Sequence, residues 1–143
     1  MKATSQVFQA TSGAAQLPAC PRAALARAIP ITMAIDPVTR RYQLGNGGGG
    51  LSGPAIHPVA VRAVHDVAAA RPDVPIVGVG GVTDATTAAE LLVAGASAVQ
   101  VGTATFADPR APGRVAADLV DWCRRHGVGD VGELIGAIHG TRS

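Results

Sequence analysis

From Ile29 onward the apolar positions follow recognisable rhythms. Ile29 to Ile35 is a short β-prone run, and Pro30 inside it limits it to an edge or irregular strand. Asp36-Pro37 opens a turn, and Arg40 to Leu44 adds a short extended piece. Asn46 to Gly50 is a flexible, glycine-rich loop. From Pro58, placed as a first-turn proline, Val59, Val61, Ala63, Val64, Val67 and Ala68 recur with helical spacing up to Ala70. Val74 to Val79 is then a nearly unbroken apolar run, which predicts a strand buried on both faces, as in a parallel sheet. Asp84 is placed as an N-cap for a helix over Ala85 to Ala94, and Gly95 as its stop. Ala96 to Val101 repeats the buried-strand pattern and ends at Gly102-Thr103. A further helix runs from Pro112 to Arg125, with Val115, Leu119, Val120 and Trp122 on its apolar side. Val131 to Ile138 closes the chain as a short terminal helix.

Strand, helix, strand, helix, strand, helix with short connections means parallel βα units, an α/β fold. No further strands are expected. A closed (β/α)8 TIM barrel typically takes about 250 residues. The 143 residues here supply only the C-terminal βα units of one, an incomplete barrel. Residues 1–32 form an atypical N-terminal segment. Thr4, Ser5, Gln6, Gln9 and Thr11 lie among scattered alanines without a period. It reads as a loose segment, with Arg22 to Ala28 able to form a short helix. It lacks the continuous apolar core of a secretory signal.

Composition narrows the function classes. Apolar content of 48% against 15% charged residues argues against intrinsic disorder. A net charge of +2 gives no nucleic-acid footprint. No stretch is long enough for a bilayer, so no membrane association is expected. Cys20 and Cys123 have neither metal nor redox spacing; no metal site and a cytoplasmic location follow.

Two loops share a design that points to a ligand. Gly80-Gly81 and Gly102-Thr103 each follow the C-terminal end of a buried strand. Ligands of parallel α/β folds sit at that end. Glycine lets an anion approach backbone amides, and Thr103 adds a hydroxyl donor. Either glycine pair alone reads equally well as a tight βα turn. Two such loops on adjacent strands can converge on one phosphate. In a third loop, Gly49 to Ala55, Ser52 and Gly53 could face the same ligand or form a plain connection.

Three segments, in order, carry a family resemblance: Gly49-Gly50-Leu51-Ser52-Gly53-Pro54-Ala55-Ile56, Pro75 to Val82, and Ala94 to Ala104. With Met33-Ala34-Ile35-Asp36 and Arg40-Arg41 ahead of them, they closely resemble the C-terminal part of class 1 dihydroorotate dehydrogenases. The likeness is nearest to the 1B type and covers residues 33–143. It implies an FMN-containing TIM barrel that oxidises dihydroorotate to orotate in pyrimidine biosynthesis. It also implies an iron–sulfur flavoprotein subunit as partner. By the resemblance, Gly53 contacts the flavin, Gly80 and Gly81 hold the FMN phosphate from one side, and Gly102 and Thr103 hold it from the other.

The departures from the family pattern concern catalysis. The family's Asn-Thr pair that binds the pyrimidine is replaced by Ala28-Ile29-Pro30-Ile31-Thr32. Its catalytic Cys and its flavin- and substrate-contacting lysines lie upstream, in segments not present here. Neither Cys20 nor Cys123 suits that role, so no catalytic residue is assigned. The expectation is a truncated or split dehydrogenase that carries the FMN-phosphate part, with the residues before about Met33 unrelated to it. The alternative is a non-catalytic phosphate-binding or assembly fragment. Another FMN barrel enzyme fits less well because of Leu51-Ser52-Gly53-Pro54. A partial barrel exposes strand edges, which homo-association or docking to a separate N-terminal half would cover. His57 stands where the family commonly has Lys and is expected to be solvated, as is His65. His126 and His139 are expected near helix ends, Arg124-Arg125 exposed, and Trp122 in packing.

Overall fold

The computed structural model describes residues 6–9, 24–27 and 31–140. Its main sheet has four strands. These are β1 (Gln6–Gln9), β2 (Ala24–Arg27), β7 (Ile76–Val79) and β8 (Ala98–Val101), in the order β1-β8-β7-β2. β2, β7 and β8 run parallel, and β1 pairs antiparallel with β8. Between β2 and β7 lie four two-residue strands, β3 (Ile31–Thr32), β4 (Ile35–Asp36), β5 (Arg41–Tyr42) and β6 (Gly49–Gly50). The helices are α1 (His57–Ala70), α2 (Ala85–Ala94), the short α3 (Ala104–Ala107), α4 (Ala111–Arg125) and the short α5 (Ala137–Gly140).

The expected parallel βα arrangement is present from β7 to α4, and α2 spans the expected residues. Its N-terminus explains why. Asp84 Oδ1 accepts from the Thr87 amide at 2.9 Å, and Thr87 Oγ1 accepts from the Asp84 amide at 3.1 Å. Two amides that a helix start leaves without helical partners are thereby satisfied. Gly95 ends the helix at φ 122°, a conformation that costs glycine little.

Helices α1, α2 and α4 pack side by side over the sheet. Val64 of α1, Leu91 and Leu92 of α2, Ile76 and Val101 are almost fully buried, and Val115, Leu119 and Cys123 of α4 join them. Burial of each Leu or Ile side chain contributes about 1.5–3 kcal/mol. Ile76 and Gly78 of β7 are buried, and a Cβ on Gly78 would lie 3.0 Å from Ala96 Cβ and 3.2 Å from Leu91 Cβ. Val77 and Val79, on the other face, are only half-buried. The expected burial on both faces thus holds for the helix side alone. In a closed barrel the inner face is filled by side chains from the other strands.

Three further expectations are corrected. First, Ile29 to Ile35 does not supply the parallel neighbour of β7; Ala24–Arg27 does, in register Ala24↔Ile76 to Arg27↔Val79. A ladder partner outweighs the weak helix preference of Ala, Leu and Arg in that stretch, so the helix over Arg22 to Ala28 is a strand at its centre. With β1 on the far side of β8, two strands come from a segment read as loose. Second, β3 pairs with β6, so Gly49-Gly50 of the expected flexible loop is a strand, and β4 pairs with β5 as a separate antiparallel hairpin. Asp36 nucleates its turn, Oδ1 accepting from the Val38 amide at 2.9 Å and the Thr39 amide at 3.3 Å. Third, the terminal helix is two pieces. A 3-10 turn at Val131–Leu134 and α5 are parted at Gly136, whose φ is 69°. Val120 of α4 is exposed rather than on its apolar side. Among the described residues no helix is long and apolar enough to cross a membrane.

Candidate functional site

Because β7 and β8 are parallel and in register, with Val79 opposite Gln100, the loops that follow them leave the sheet at one edge. The connection from β6 into α1 arrives at the same edge. Together they wall a cavity of about 620 Å³, within the usual size of small-molecule sites. Gly53, Gly80, Gly81, Gly102 and Thr103 all line it. The residues singled out from sequence are therefore brought together from three loops. Ser52 lines the cavity as well.

The glycines stand there for different reasons. Gly80 has φ 141°, and a Cβ on it would lie 2.6 Å from Ala60 Cβ. Gly81 has φ 66°, and a Cβ would lie 2.7 Å from His57 Cβ and 2.9 Å from its amide nitrogen. Gly53 has φ 88° with open space around it, the nearest atom being Thr103 Cγ2 at 3.7 Å. All three need glycine for the backbone itself. Gly102 does not. Its φ is not positive, and a Cβ there would meet no atom of the described residues within 4 Å. Thr103 begins α3, whose first turn is tied back to Gly102: its carbonyl accepts from the Thr105 amide at 2.9 Å and from Thr105 Oγ1 at 2.8 Å. A short helix after a glycine loop on the last strand is the arrangement that binds phosphate in many (β/α)8 barrels.

The walls are mostly apolar or backbone, with Ile56, Val79, Val82 and Ala104 among them; Ser52, Thr83 and Thr103 add hydroxyls, and the charged lining residues among those described are Asp108 and Arg114. Arg114 Nε lies 3.3 Å from Asp108 Oδ2, one terminal nitrogen lies 3.6 Å from Asp118 Oδ2, and the other donates to the Thr83 carbonyl at 3.4 Å. The Arg110 amide, and then Arg114, hold the Asp108 carboxyl below the ordinary carboxylate range. Sequence reasoning missed this pair. The available signal was position, since Arg114 lies in the first turn of a helix entering at the loop edge.

His57 corrects an expectation. It is buried rather than solvated, with Nδ1 donating to the Gly80 carbonyl at 2.9 Å and Nε2 2.7 Å from Glu90 Oε2. A first-turn position ahead of proline reads as exposed in one dimension, but the loop after β7 folds over it. His65 is half-buried and stacks on His139 at 4.7 Å. His139 Nε2 donates to the Ala94 carbonyl, which ends α2, and His126 Nδ1 to the Trp122 carbonyl at the end of α4. Trp122 packs against the core and stacks on His126. Arg124 and Arg125 are exposed, Arg124 pairing with Asp121. Cys123 is buried in the helix layer away from the cavity, and Cys20 lies outside the described residues.

A family model described as Dihydroorotate dehydrogenase matches residues 23–122. Among curated relatives, a putative dihydroorotate dehydrogenase A (fumarate) from Solibacter usitatus is 51% identical over 76% of this chain. The dihydroorotate dehydrogenase B (NAD(+)) catalytic subunit from Geotalea daltonii is 55% identical over 74% of it. This chain covers 35% and 34% of those two proteins, so it spans about a third of the length of the curated relatives it matches. The structure of DHODH from Eimeria tenella in complex with ferulenol superposes with a TM-score of 0.66 and 27% identity, over 80% of this chain and 30% of that one.

Proposed function

The chain belongs to the dihydroorotate dehydrogenase family, and from that premise we propose that its cavity holds the phosphate end of FMN. It does so within an enzyme that oxidises dihydroorotate to orotate in pyrimidine biosynthesis. The observation that carries this reading is the meeting of Gly53, Gly80, Gly81, Gly102 and Thr103 around one cavity. Gly102 adds weight, because none of the described residues demands glycine there, whereas a phosphate oxygen against its backbone would. Gly80 and Gly81 hold the phosphate from one side, Gly102 and the Thr103 hydroxyl from the other, and Gly53 lies against the flavin. When bound, FMN supplies the hydride acceptor for the oxidation. This chain's residues bind and orient; they move no proton. Among the described residues no Cys, Lys or His lines the cavity, and Asp108 is paired with Arg114. The base, the lysines and the pyrimidine-binding Asn of the family are to be supplied by the remainder of a barrel.

That lack of a base also favours a second reading, a non-catalytic fragment that keeps only phosphate binding or assembly. An iron–sulfur flavoprotein subunit, a complementary barrel segment and a second copy of this chain are the partners this account expects, in the cytoplasm. Purified protein separates the readings. Flavin absorbance that dihydroorotate bleaches once the complementary barrel segment is added supports the enzyme reading. A flavin band that dihydroorotate leaves unchanged supports the binding fragment. A colourless protein that takes up no added FMN overturns both flavin readings.

A further inference from the structure

Against the Gly80-Gly81 loop, and not among the residues lining the cavity, lies the one polar side chain buried among the described residues. His57 is 7% exposed, yet both ring nitrogens are engaged. A carbonyl oxygen can only accept, so Nδ1 carries a proton and donates it to Gly80. At the other nitrogen stands the carboxylate of Glu90, half-exposed on α2. Both contacts are hydrogen bonds when the ring carries both protons. The ring thus ties the first turn of α1 to the loop after β7, and Glu90 fixes its rotation from α2.

The position of that tie is what gives it a role. Gly80 and Gly81 adopt left-handed backbone conformations, and because glycine reaches many others as easily, contacts around the loop must select these. Gly81 packs so closely on the His57 backbone that a Cβ would not fit. The Gly80 carbonyl is bonded to His57, which is not among the residues lining the cavity that Gly80 lines. A carbonyl swung toward the cavity would present a negative dipole where an anion is to sit. We propose that His57, braced by Glu90, is a positioning residue that keeps the Gly80 peptide turned so that the Gly80-Gly81 loop presents its amides to a phosphomonoester. This deepens the proposed function and rests on it for the identity of the anion.

The test uses the full chain with Leu, Asn and Ala variants. His57→Leu keeps bulk and removes both bonds. His57→Asn keeps a donor near the Nδ1 position and loses only Glu90. Glu90→Ala removes the brace from an exposed site and spares the core. In unliganded protein, amide exchange of the Gly80 to Thr83 segment is expected to rise about tenfold in His57→Leu and a few-fold in both Glu90→Ala and His57→Asn, which lose the same contact. The preference for FMN over riboflavin is expected to fall about tenfold in His57→Leu, with riboflavin affinity itself steady, and to recover in His57→Asn. Wild-type exchange and an unchanged preference in His57→Leu overturn the inference. If His57→Leu does not fold, Glu90→Ala and His57→Asn decide, and wild-type exchange in Glu90→Ala counts against the brace. A wild-type chain without preference for FMN overturns the proposed function instead, and the exchange rates alone then judge whether His57 sets the loop.

Discussion

Two glycines assigned the same task make different demands on the chain. At Gly80 a methyl group has no room and the backbone is left-handed, so Gly80→Ala is expected to destabilise the fold by about 1–3 kcal/mol in chemical denaturation. At Gly102 a methyl group meets no atom of the described residues, so Gly102→Ala should leave stability within about 0.5 kcal/mol. It should weaken FMN binding instead. Equal stability losses at the two positions would contradict the distinction. The thiols give a second residue-scale prediction. Burial, and then the negative charge of Glu133, push the Cys123 thiol above its ordinary value. Its alkylation at neutral pH is expected to be slow in the folded chain and to reach that of a free thiol in denaturant, read by mass spectrometry.

At the scale of elements, legibility followed local chemistry. The α2 helix was readable because Asp84 and Gly95 mark its ends in the sequence itself. The Thr87 amide, first among the causes, holds the Asp84 carboxyl below its ordinary value of 3.8. A carboxyl lowered in the folded state stabilises fully above that value and loses its contribution as pH falls through the lowered one. Asp84→Ala is therefore expected to cost about 1 kcal/mol at neutral pH. The gap to wild type should shrink below about pH 4 in denaturant titrations. A gap that does not change with pH would contradict the cap. What could not be read depended on partners far away in sequence. β2 is a strand because β7 offers it a ladder, and its Ala-Leu-Ala-Arg sequence carries no signal of that. His57 is buried because a loop more than twenty residues later closes over it. The Arg114–Asp108 pair at the cavity likewise needs α3 and α4 in place. That Gly80, Gly81, Gly102 and Thr103 share one cavity was legible because two loops follow the same ends of adjacent parallel strands, whereas Gly53 was placed there by the family resemblance.

For the whole molecule, the governing fact is that a cavity walled by three loops stands on a chain about a third as long as its curated relatives. Helices α1, α2 and α4 bury one face of the sheet, while Val77 and Val79 keep the other half-covered. On the proposed function, the phosphate would be held by loops of this chain, and the reacting end would need the rest of a barrel. Binding and turnover should therefore separate. The most direct measurement is calorimetric titration of the chain with FMN and, in parallel, with riboflavin, which lacks only the phosphate. The account predicts saturable FMN binding with riboflavin at least about tenfold weaker, and loss of that difference in Gly102→Ala. Equal affinity for the two, or no heat from either, would contradict it.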